Sequence, residues 1–345
     1  MATREEADSP RRSAAGDAEL RMLEATQREA RRDGPCETDG VLNSRSQTGP
    51  TSEISNMTID TKDYRARAGH RVELRKWPTR VAPICHSDKE YRALLQEHVA
   101  ALSKLQRLHY ASGRFSLLLI FQALDAAGKD GAIRHVLSGV NPEGCEVFSF
   151  KQPSAEELQH DFLWRSTCRL PERGRIGIFN RSYYEEVLVV RVHPEILRAQ
   201  HLPPALLDEK KIWKQRYESI VDLEKHLHRN GTRVVKIFLH LSKAEQRRRF
   251  LARIDDADKN WKFSLADIHE RDYWNRYTKA YEACLKATTT HHSPWHVVPA
   301  DDKETARLIA SQIVVDALSA LHLEYPKTTA KHRRELMAIR RSLEK

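Results

Sequence analysis

The stretch SLLLIFQALDAAGKDGAIRHV, residues 116–136, constrains the fold of this chain more than any other part of the sequence. An uninterrupted apolar run at residues 117–121 leads into a loop of small residues, then into Gly128-Lys129, and then into a helical pattern. Because the apolar run has no polar alternation, it predicts a strand buried on both faces of a parallel sheet. A strand, a tight loop and a helix in this order direct backbone N–H groups and a helix N-terminus toward one point, which is the requirement of a phosphate-binding loop.

The chemistry of the loop fits this interpretation. Small residues at Ala126, Ala127 and Gly128 let the backbone approach phosphate oxygens closely, and Lys129 would reach the same oxygens. The alternative is an ordinary strand–turn–helix corner that ends with a capping glycine.

The loop departs from the usual Walker A pattern at two positions. The consensus G-x-x-x-x-G-K-[ST] falls on residues 123–130, with Ala123 in place of the first glycine and Asp130 in place of Ser or Thr. Two carboxylates, Asp125 and Asp130, therefore flank a site meant for anions. Since bare carboxylates would repel phosphate, they predict a divalent cation.

The rest of the chain alternates strand and helix patterns. Strands are predicted at residues 114–122, 145–150, 175–180, 232–241 and 295–299. Helices are predicted at residues 87–110, 128–138, 154–167, 208–229, 242–254, 264–289 and 302–321. Because helical segments separate the strands, the sequence predicts an α/β fold with a parallel sheet covered by helices on both faces.

A second buried strand ends in a polar cluster, in the sequence RIGIFNRSYYEEVLVVRVH at residues 175–193. P-loop enzymes offer an Asp toward the metal at the end of such a strand, and Asn180 occupies that place here. Arg181 would project at the carboxyl ends of the strands, where open α/β sheets bind ligands. The planar fork of an arginine suits a phosphate at that point.

The acids that follow Asn180 have more than one interpretation. Glu185 could be a metal ligand, or it could cap its own helix through the pattern Ser182-Tyr-Tyr-Glu185. Glu186 is expected to face solvent. Arg191 could face either solvent or a ligand.

Residues 241–277 are predicted to form a helix, a charged turn and a second helix. Arg249 and Arg253 are four positions apart and share a helical face, and Lys262 lies between two aromatic residues. This pattern is typical of a helical lid, at about residues 242–280, that closes cations over phosphates and excludes water. The alternative is a solvated amphipathic hairpin with ion pairs.

Composition sets the remaining limits. The chain has 345 residues and a formal net charge of +10, which predicts an anionic partner. No apolar run is long enough for a membrane span, the N-terminus lacks the apolar segment of a secretory signal, and the five cysteines have no paired spacing. These features predict a cytoplasmic protein without a membrane association, a zinc site or a disulfide framework.

Residues 1–60 differ in composition from the rest and are predicted to be a disordered extension. As an alternative, Met57 is the true start of translation. Residues 61–325 are predicted to form the domain that contains the phosphate loop, and residues 326–345 a basic C-terminal helix.

Three segments together resemble the polyphosphate kinase 2 family. They are LDAAGKDGAIRHVLSGVNPEG, FNRSYYEEVLVVRVHPE, and RRRFLARIDDADKNWKFSLADIHERDYW followed by PWHVVPADDK, and they span about residues 85–325. The Asn in FNRS resembles the subgroup that phosphorylates both AMP and ADP. The resemblance implies a thymidylate-kinase-like P-loop fold with a helical lid, Mg²⁺ (with Mn²⁺ as an alternative) as cofactor, and a homo-oligomer.

The resemblance also implies roles for individual residues. Asp125 would hold metal and orient the acceptor phosphate, Lys129 and Arg181 would bind phosphate at the reacting centre, and Glu185 would supply the carboxylate that Asn180 lacks. We predict that the catalytic residues are Asp125, Lys129, Arg181 and Glu185, with Asp125 and Glu185 as metal ligands. The predicted nucleotide- and polyphosphate-binding residues are Ala126, Ala127, Gly128, Asp130, Arg134, Asn180, Arg191, Arg253 and Lys262.

The resemblance thus implies a reversible, polyphosphate-dependent kinase that acts on AMP or ADP, with polyphosphate, AMP, ADP and ATP as ligands, and we expect no nucleic acid as partner. One alternative is an ATP-dependent nucleoside or nucleotide kinase of the same fold. Another is a basic protein that binds polyphosphate or nucleic acid without turnover.

Overall fold

The computed structural model of this chain describes residues 59–258, 260–262 and 264–344. The described residues belong to one unit, Ile54–Lys345. Residues 1–58 of the predicted disordered extension (1–60), with the alternative start at Met57, lie outside the described part. None of the described helices is both long enough and apolar enough to cross a membrane.

Five parallel strands form the single sheet of the described residues. They are β1 (Ser116–Ala123), β2 (Cys145–Ser149), β3 (Ile176–Asn180), β4 (Thr232–His240) and β5 (Trp295–Pro299). Their order across the sheet is β2-β3-β1-β4-β5, so the first of these five strands lies at the centre. This arrangement confirms the predicted parallel sheet and the positions of its strands.

Helices cover both faces of this sheet. Their bounds are α1 (Asp88–Ser112), α2 (Lys129–Val136), α3 (Trp164–Thr167), α4 (Val189–Val192), α5 (Pro194–Arg198), α6 (Glu209–Arg229), α7 (Lys243–Asp255), α8 (Leu265–Asp272), α9 (Trp274–Thr288), α10 (Lys303–Ser319) and α11 (Ala330–Leu343). Short 3-10 turns lie at Thr61–Tyr64, Leu74–Lys76, Pro142–Gly144, Glu157–Gln159, Tyr183–Val187, Pro204–Leu206 and Asn260–Lys262.

Successive residues of β1 supply two separate hydrophobic cores. Leu117, Leu119 and Phe121 belong to the core that contains residues of α1, α2 and α10, whereas Leu118 and Ile120 belong to the core that contains residues of α6 and α9. All five side chains are essentially inaccessible to solvent. The continuous apolar run is therefore explained by burial on both faces, because strand side chains alternate between them.

Two predicted helices are wrong in extent. Residues 154–167 form a 3-10 turn and the short α3 instead of one helix. The chain becomes extended at His160, and the Asp161 carboxylate then accepts a hydrogen bond from the N–H of Leu163, which starts a new turn. Residues 264–289 form α8 and α9, with a break at Tyr273.

The predicted ends of the domain also differ slightly from the structure. Ile59, assigned to the N-terminal extension, is buried in the core, and the Asp60 side chain caps the 3-10 turn Thr61–Tyr64. The predicted C-terminal helix is present as α11, and none of its residues is buried.

Candidate active site

The loop between β1 and α2 has the geometry of an anion-binding turn. Ala126 and Gly128 both have positive φ, 63° and 91°, and α2 begins at Lys129 directly after them. Only glycine adopts φ near 91° without strain, so the glycine of the Gly-Lys pair is required by the backbone. Alternation of left- and right-handed residues turns successive N–H groups toward one concavity.

The register of the sheet brings the end of β3 beside this loop. Phe121 of β1 lies opposite Asn180 of β3, and the N–H of Arg181 donates to the carbonyl of Phe121 at 3.1 Å. Arg181 also has a positive φ of 65°. Such a conformation is uncommon for a residue with a side chain and is concentrated at functional sites.

Arg181 and Asp125 face each other across the site. The Arg181 guanidinium lies 3.6 Å from Asp125 Oδ1, and the two side chains are 43% and 44% exposed. Burial opposes the charge of Arg181, but the carboxylates of Glu185 and Asp125 outweigh it and hold the pKa of Arg181 above its ordinary value. The arginine is therefore charged and still accessible to a ligand.

Lys129 belongs to the same group of charges. Burial lowers the pKa of its ammonium, and Arg181 lowers it further, while the carboxylates of Glu185, Asp125 and Asp130 oppose the shift. The structure thus brings the four predicted catalytic residues into one electrostatic cluster, which we call the charge cluster: Asp125, Lys129, Arg181 and Glu185.

Asn180 connects β3 to the phosphate loop. Its Nδ2 donates to Asp130 Oδ1 at 2.8 Å and to Ser149 Oγ at 3.2 Å. An aspartate at position 180 would place a second negative charge beside Asp130. The amide instead donates a hydrogen bond, which fixes the Asp130 side chain at the start of α2.

Glu185 does not cap its own turn among the described contacts. The Ser182 hydroxyl accepts from the N–H of Tyr184. When the Gln122 amide is assigned the orientation that satisfies both of its polar atoms, its oxygen accepts from the Ser182 N–H (3.1 Å) and its nitrogen donates to Glu185 Oε1 (2.8 Å). Gln122 therefore satisfies the N–H group that a capping glutamate would serve. This leaves the second carboxylate oxygen of Glu185 available to the site.

Two cavities meet at the charge cluster. One, of about 320 Å³, is lined by Asp125, Arg181 and Glu185 and by the aromatic residues Trp274, Tyr277 and Tyr281. The other, of about 470 Å³, lies toward the end of β2 and shares Arg181 and Glu185 with the first. Their shared walls make one cleft along the carboxyl edge of the sheet, where parallel α/β proteins bind ligands.

Glu186 was expected to face solvent, and this is wrong. Its side chain is 4% exposed and lies 3.4 Å from Arg216 and 3.8 Å from Arg165. Burial raises the pKa of Glu186, while the amide of Gln200 and these two arginines oppose the rise. Glu186 is part of a buried ion-pair network that supports the wall of the cleft.

The structure does not bring every predicted binding residue to the charge cluster. Arg191 donates to the hydroxyl of Tyr217 at 2.7 Å and lies over the ring of Trp213, so its described contacts are with α6. Arg134 is exposed on α2, and Arg253 lies over the ring of Phe250 on α7. The side chain of Lys262 lies outside what the structure describes.

Two cations near the loop, Lys303 and Arg307, are not among the predicted binding residues. Arg307 of α10 lies against α2, since a Cβ built on Gly131 would be 3.5 Å from its Nη2. Burial lowers the pKa of His135, and the charges of Arg307 and Arg134 lower it further. Burial also lowers the pKa of Lys303, and the charges of Arg249 and Arg307 add to that shift. Lys303 and Arg307 lie on α10, far from the loop along the chain, so no local signal could have grouped them with it.

The charge cluster fits Mg²⁺ through its donor chemistry. Among the described residues, no group of three or more His, Cys, Asp or Glu side chains could hold a metal by itself. Mg²⁺ uses one or two carboxylates together with substrate phosphates and water, and does not need an all-protein cage. Asp125 and Glu185 supply two such carboxylates, beside a loop built for phosphate.

Comparisons with known proteins agree on one family. The family model described as "Polyphosphate kinase 2 (PPK2)" matches residues 85–326. An "ADP-polyphosphate phosphotransferase" of Rhodopseudomonas palustris is 61% identical over 287 residues, which are 83% of this chain and 99% of the relative. An "AMP/ADP-polyphosphate phosphotransferase" of Meiothermus ruber is 40% identical over 270 residues, covering 77% and 96%. The crystal structure of polyphosphate kinase 2 from Arthrobacter aurescens matches with a TM-score of 0.71 at 38% identity, covering 80% of this chain and 95% of that one.

Proposed function

Because this chain belongs to the polyphosphate kinase 2 family, with its P-loop kinase fold, we propose that it transfers the terminal phosphoryl group of inorganic polyphosphate to ADP, to AMP or to both. The resemblance inferred from the sequence is confirmed. The relatives whose names specify ADP or AMP as acceptor support this substrate class.

The observation that carries the proposal is the convergence of the charge cluster at the carboxyl edge of the sheet. Arg181 lies 3.6 Å from Asp125, and Lys129 is coupled to both. In the reaction, the bond between the terminal phosphorus and its bridging oxygen breaks, and a bond to an oxygen of the nucleotide phosphate forms. That acceptor oxygen is already anionic near neutral pH, so no protein nucleophile is needed.

Catalysis then comes from alignment and charge compensation by the residues of the chain. Lys129 and the N–H groups of the loop bind the transferred phosphoryl group, and Arg181 binds an equatorial or acceptor oxygen at the same centre. Asp125 and Glu185 would hold Mg²⁺, or Mn²⁺ in its place. A metal held there would supply Lewis-acid stabilisation of the charge on the phosphates.

The two substrates would approach the charge cluster from different sides. The cleft lined by Trp274, Tyr277 and Tyr281 has an aromatic and apolar wall, which suits the base and sugar of a nucleotide. The exposed face of α2 and the neighbouring α10 offers Arg134, Lys303 and Arg307, which suits a polyanion. We propose that the nucleotide occupies the cleft and that polyphosphate lies along these cations.

The test is a donor–acceptor assay with purified protein, polyphosphate, Mg²⁺ and either AMP or ADP, in the absence of any nucleoside triphosphate donor. We expect new ADP or ATP, measured by chromatography. In a separate reaction with ATP as donor and polyphosphate as acceptor, the reverse transfer should release ADP as the polyphosphate chain lengthens. Product that forms only when a nucleoside triphosphate is added would replace the proposal with an ATP-dependent kinase. Binding of polyphosphate without turnover would leave a binding protein.

Replacing Glu185 by glutamine tests its proposed role as a metal ligand. Since Gln122 already satisfies the N–H group of Ser182, the substitution should change the free energy of unfolding by less than about 0.5 kcal/mol. The activity at limiting Mg²⁺ should fall about 10- to 100-fold and recover in part at high Mg²⁺. The measurement is a Mg²⁺ titration of the rate, with the exposed Glu143→Gln variant as control. A loss of about 1 kcal/mol in stability with full turnover would assign Glu185 to capping instead.

The cytoplasmic location and the homo-oligomer stay predictions. Sedimentation of the purified chain at several concentrations would test the predicted homo-oligomer.

A further inference from the structure

Two consecutive carbonyl groups of the phosphate loop are held by one helix. Gln246 of α7 donates from Nε2 to the carbonyl of Asp125 at 3.1 Å, and Arg249 of α7 donates from Nη1 to the carbonyl of Ala126 at 3.0 Å. Both α7 side chains are buried, 4% and 7% exposed. A loop that turns its N–H groups toward an anion leaves carbonyls on the other side, and buried carbonyls need partners. Helix α7 supplies those partners.

Most of the guanidinium donors of Arg249 are engaged in this position. Its Nε donates to the carboxylate of Glu245 at 2.8 Å, and its Nη2 donates to the carbonyls of Ala300 (2.6 Å) and Asp301 (3.1 Å). Arg249 thereby ties the loop after β1 to the segment after β5. Four of its five N–H donors are thus bonded to the protein, so the side chain is held in place and is not free to move over a phosphate as a lid cation.

Arg249 bonds the carbonyl of Ala126, whose backbone conformation is strained. Ala126 has φ 63°, a left-handed conformation that an alanine adopts only at a cost. Such residues persist where the surrounding structure over-determines them. The hydrogen bond from Arg249 falls on the carbonyl of this residue, whose direction depends on that conformation.

We propose that Arg249, assisted by Gln246, is a positioning residue that keeps the phosphate loop in its anion-binding conformation. The first two turns of α7 are then a fixed support of the loop, and any closing movement of the predicted lid begins beyond them. Arg271 of α8 extends the support, since its Nη1 donates to Gln246 Oε1 at 2.9 Å. The inference deepens the proposed function and rests on it for its kinetic readout.

The first test compares Arg249→Lys with Arg247→Lys, a matched change at an exposed position of the same helix. Lysine keeps the charge but cannot reach the loop and the β5 segment together, because it lacks the planar fork. We expect Arg249→Lys to lower kcat/KM about 100-fold and to weaken binding of tripolyphosphate, measured by calorimetry without nucleotide. The Arg247→Lys variant should stay within about twofold of the wild type.

The second test separates positioning from simple destabilisation. Glycine adopts positive φ at little cost, so Ala126→Gly should reduce the loop's need for its anchor. In the Ala126→Gly background we expect Arg249→Lys to lower kcat/KM only about 10-fold. The tenfold difference corresponds to a coupling free energy of about 1.4 kcal/mol. Thermal unfolding of each variant shows whether the fold is retained.

Three results would overturn the inference. They are an Arg249→Lys variant as active as Arg247→Lys, an activity loss of the same size in both backgrounds, and a loss that tracks the unfolding midpoint alone. If the wild-type protein shows no polyphosphate-dependent transfer but its binding of tripolyphosphate still depends on Arg249, the proposed function fails while the positioning role stands.

Discussion

Replacing Lys129 by alanine is expected to lower kcat for polyphosphate-dependent transfer about 10³-fold. Lys129 follows the strained turn of the phosphate loop and lies in the charge cluster with Arg181 and two carboxylates. Without its ammonium, the charge on the transferred phosphoryl group in the transition state would lose its nearest cation at the loop, while the carboxylates of Asp125 and Glu185 would remain. The measurement is the rate of ATP formation from ADP and polyphosphate at saturating substrates.

Two variants control this experiment. Lys104→Ala removes an exposed ammonium from α1 and should leave kcat unchanged within about twofold. Lys129→Arg keeps the charge but replaces a compact ammonium by a planar fork, so it should restore only part of the rate. A Lys129→Ala variant that retains a tenth of the wild-type kcat would remove the phosphate loop from the catalytic machinery.

A second large effect is expected on stability, at Glu224 in the centre of the molecule. Its fully buried carboxylate accepts hydrogen bonds from the hydroxyls of Tyr183 (3.0 Å), Tyr184 (2.7 Å) and Ser293 (2.9 Å) and lies 2.6 Å from Lys236 Nζ. Burial lowers the pKa of Lys236, and the Glu224 carboxylate opposes that shift. Glu224→Leu would leave a buried ammonium uncompensated, so the free energy of unfolding should fall by about 3–5 kcal/mol.

Urea unfolding at neutral pH would measure this loss, and an exposed pair of the same helix provides the control. Asp222 and Lys225 also lie on α6, at 3.2 Å, with side chains 71% and 47% exposed. Asp222→Ala should cost less than about 1 kcal/mol, because solvent screens such a pair. The double variant Glu224→Leu with Lys236→Met should recover part of the loss, since no charge is then left buried. Equal effects of Glu224→Leu and Asp222→Ala would contradict the assignment.

Most of the fold could be predicted because its signals are local. Residues 117–121 form an apolar run without alternation, and a strand buried on both faces is what such a run requires. The helix predicted at residues 154–167 failed because its capping signature, Ser154 with Glu157, stabilises one turn only. The path of the chain beyond that turn depends on the burial of Arg165 against Glu186, a contact that no local pattern indicates.

In the candidate site, too, the residues with local signals could be predicted and those positioned by distant contacts could not. Asp125 and Lys129 lie in one short loop, and Arg181 follows the strand beside it, so sequence order and sheet logic place them together. The supports of the site were missed, because Arg249 bonds residues far away along the chain. Lys236 did leave a signal: a lysine inside the apolar strand TRVVKIFLH can be buried only with a charged partner.

The central position of β1 has a consequence for the synthesis of the protein. β1 needs β3 on one edge and β4 on the other, and β4 leaves the ribosome more than a hundred residues after β1. At ~5–20 residues per second, the apolar second edge of β1 stays unpaired for on the order of ten seconds. An unpaired apolar edge is a template for aggregation, so nascent chains that end before residue 232 should depend on chaperones and chains that end after residue 299 should not.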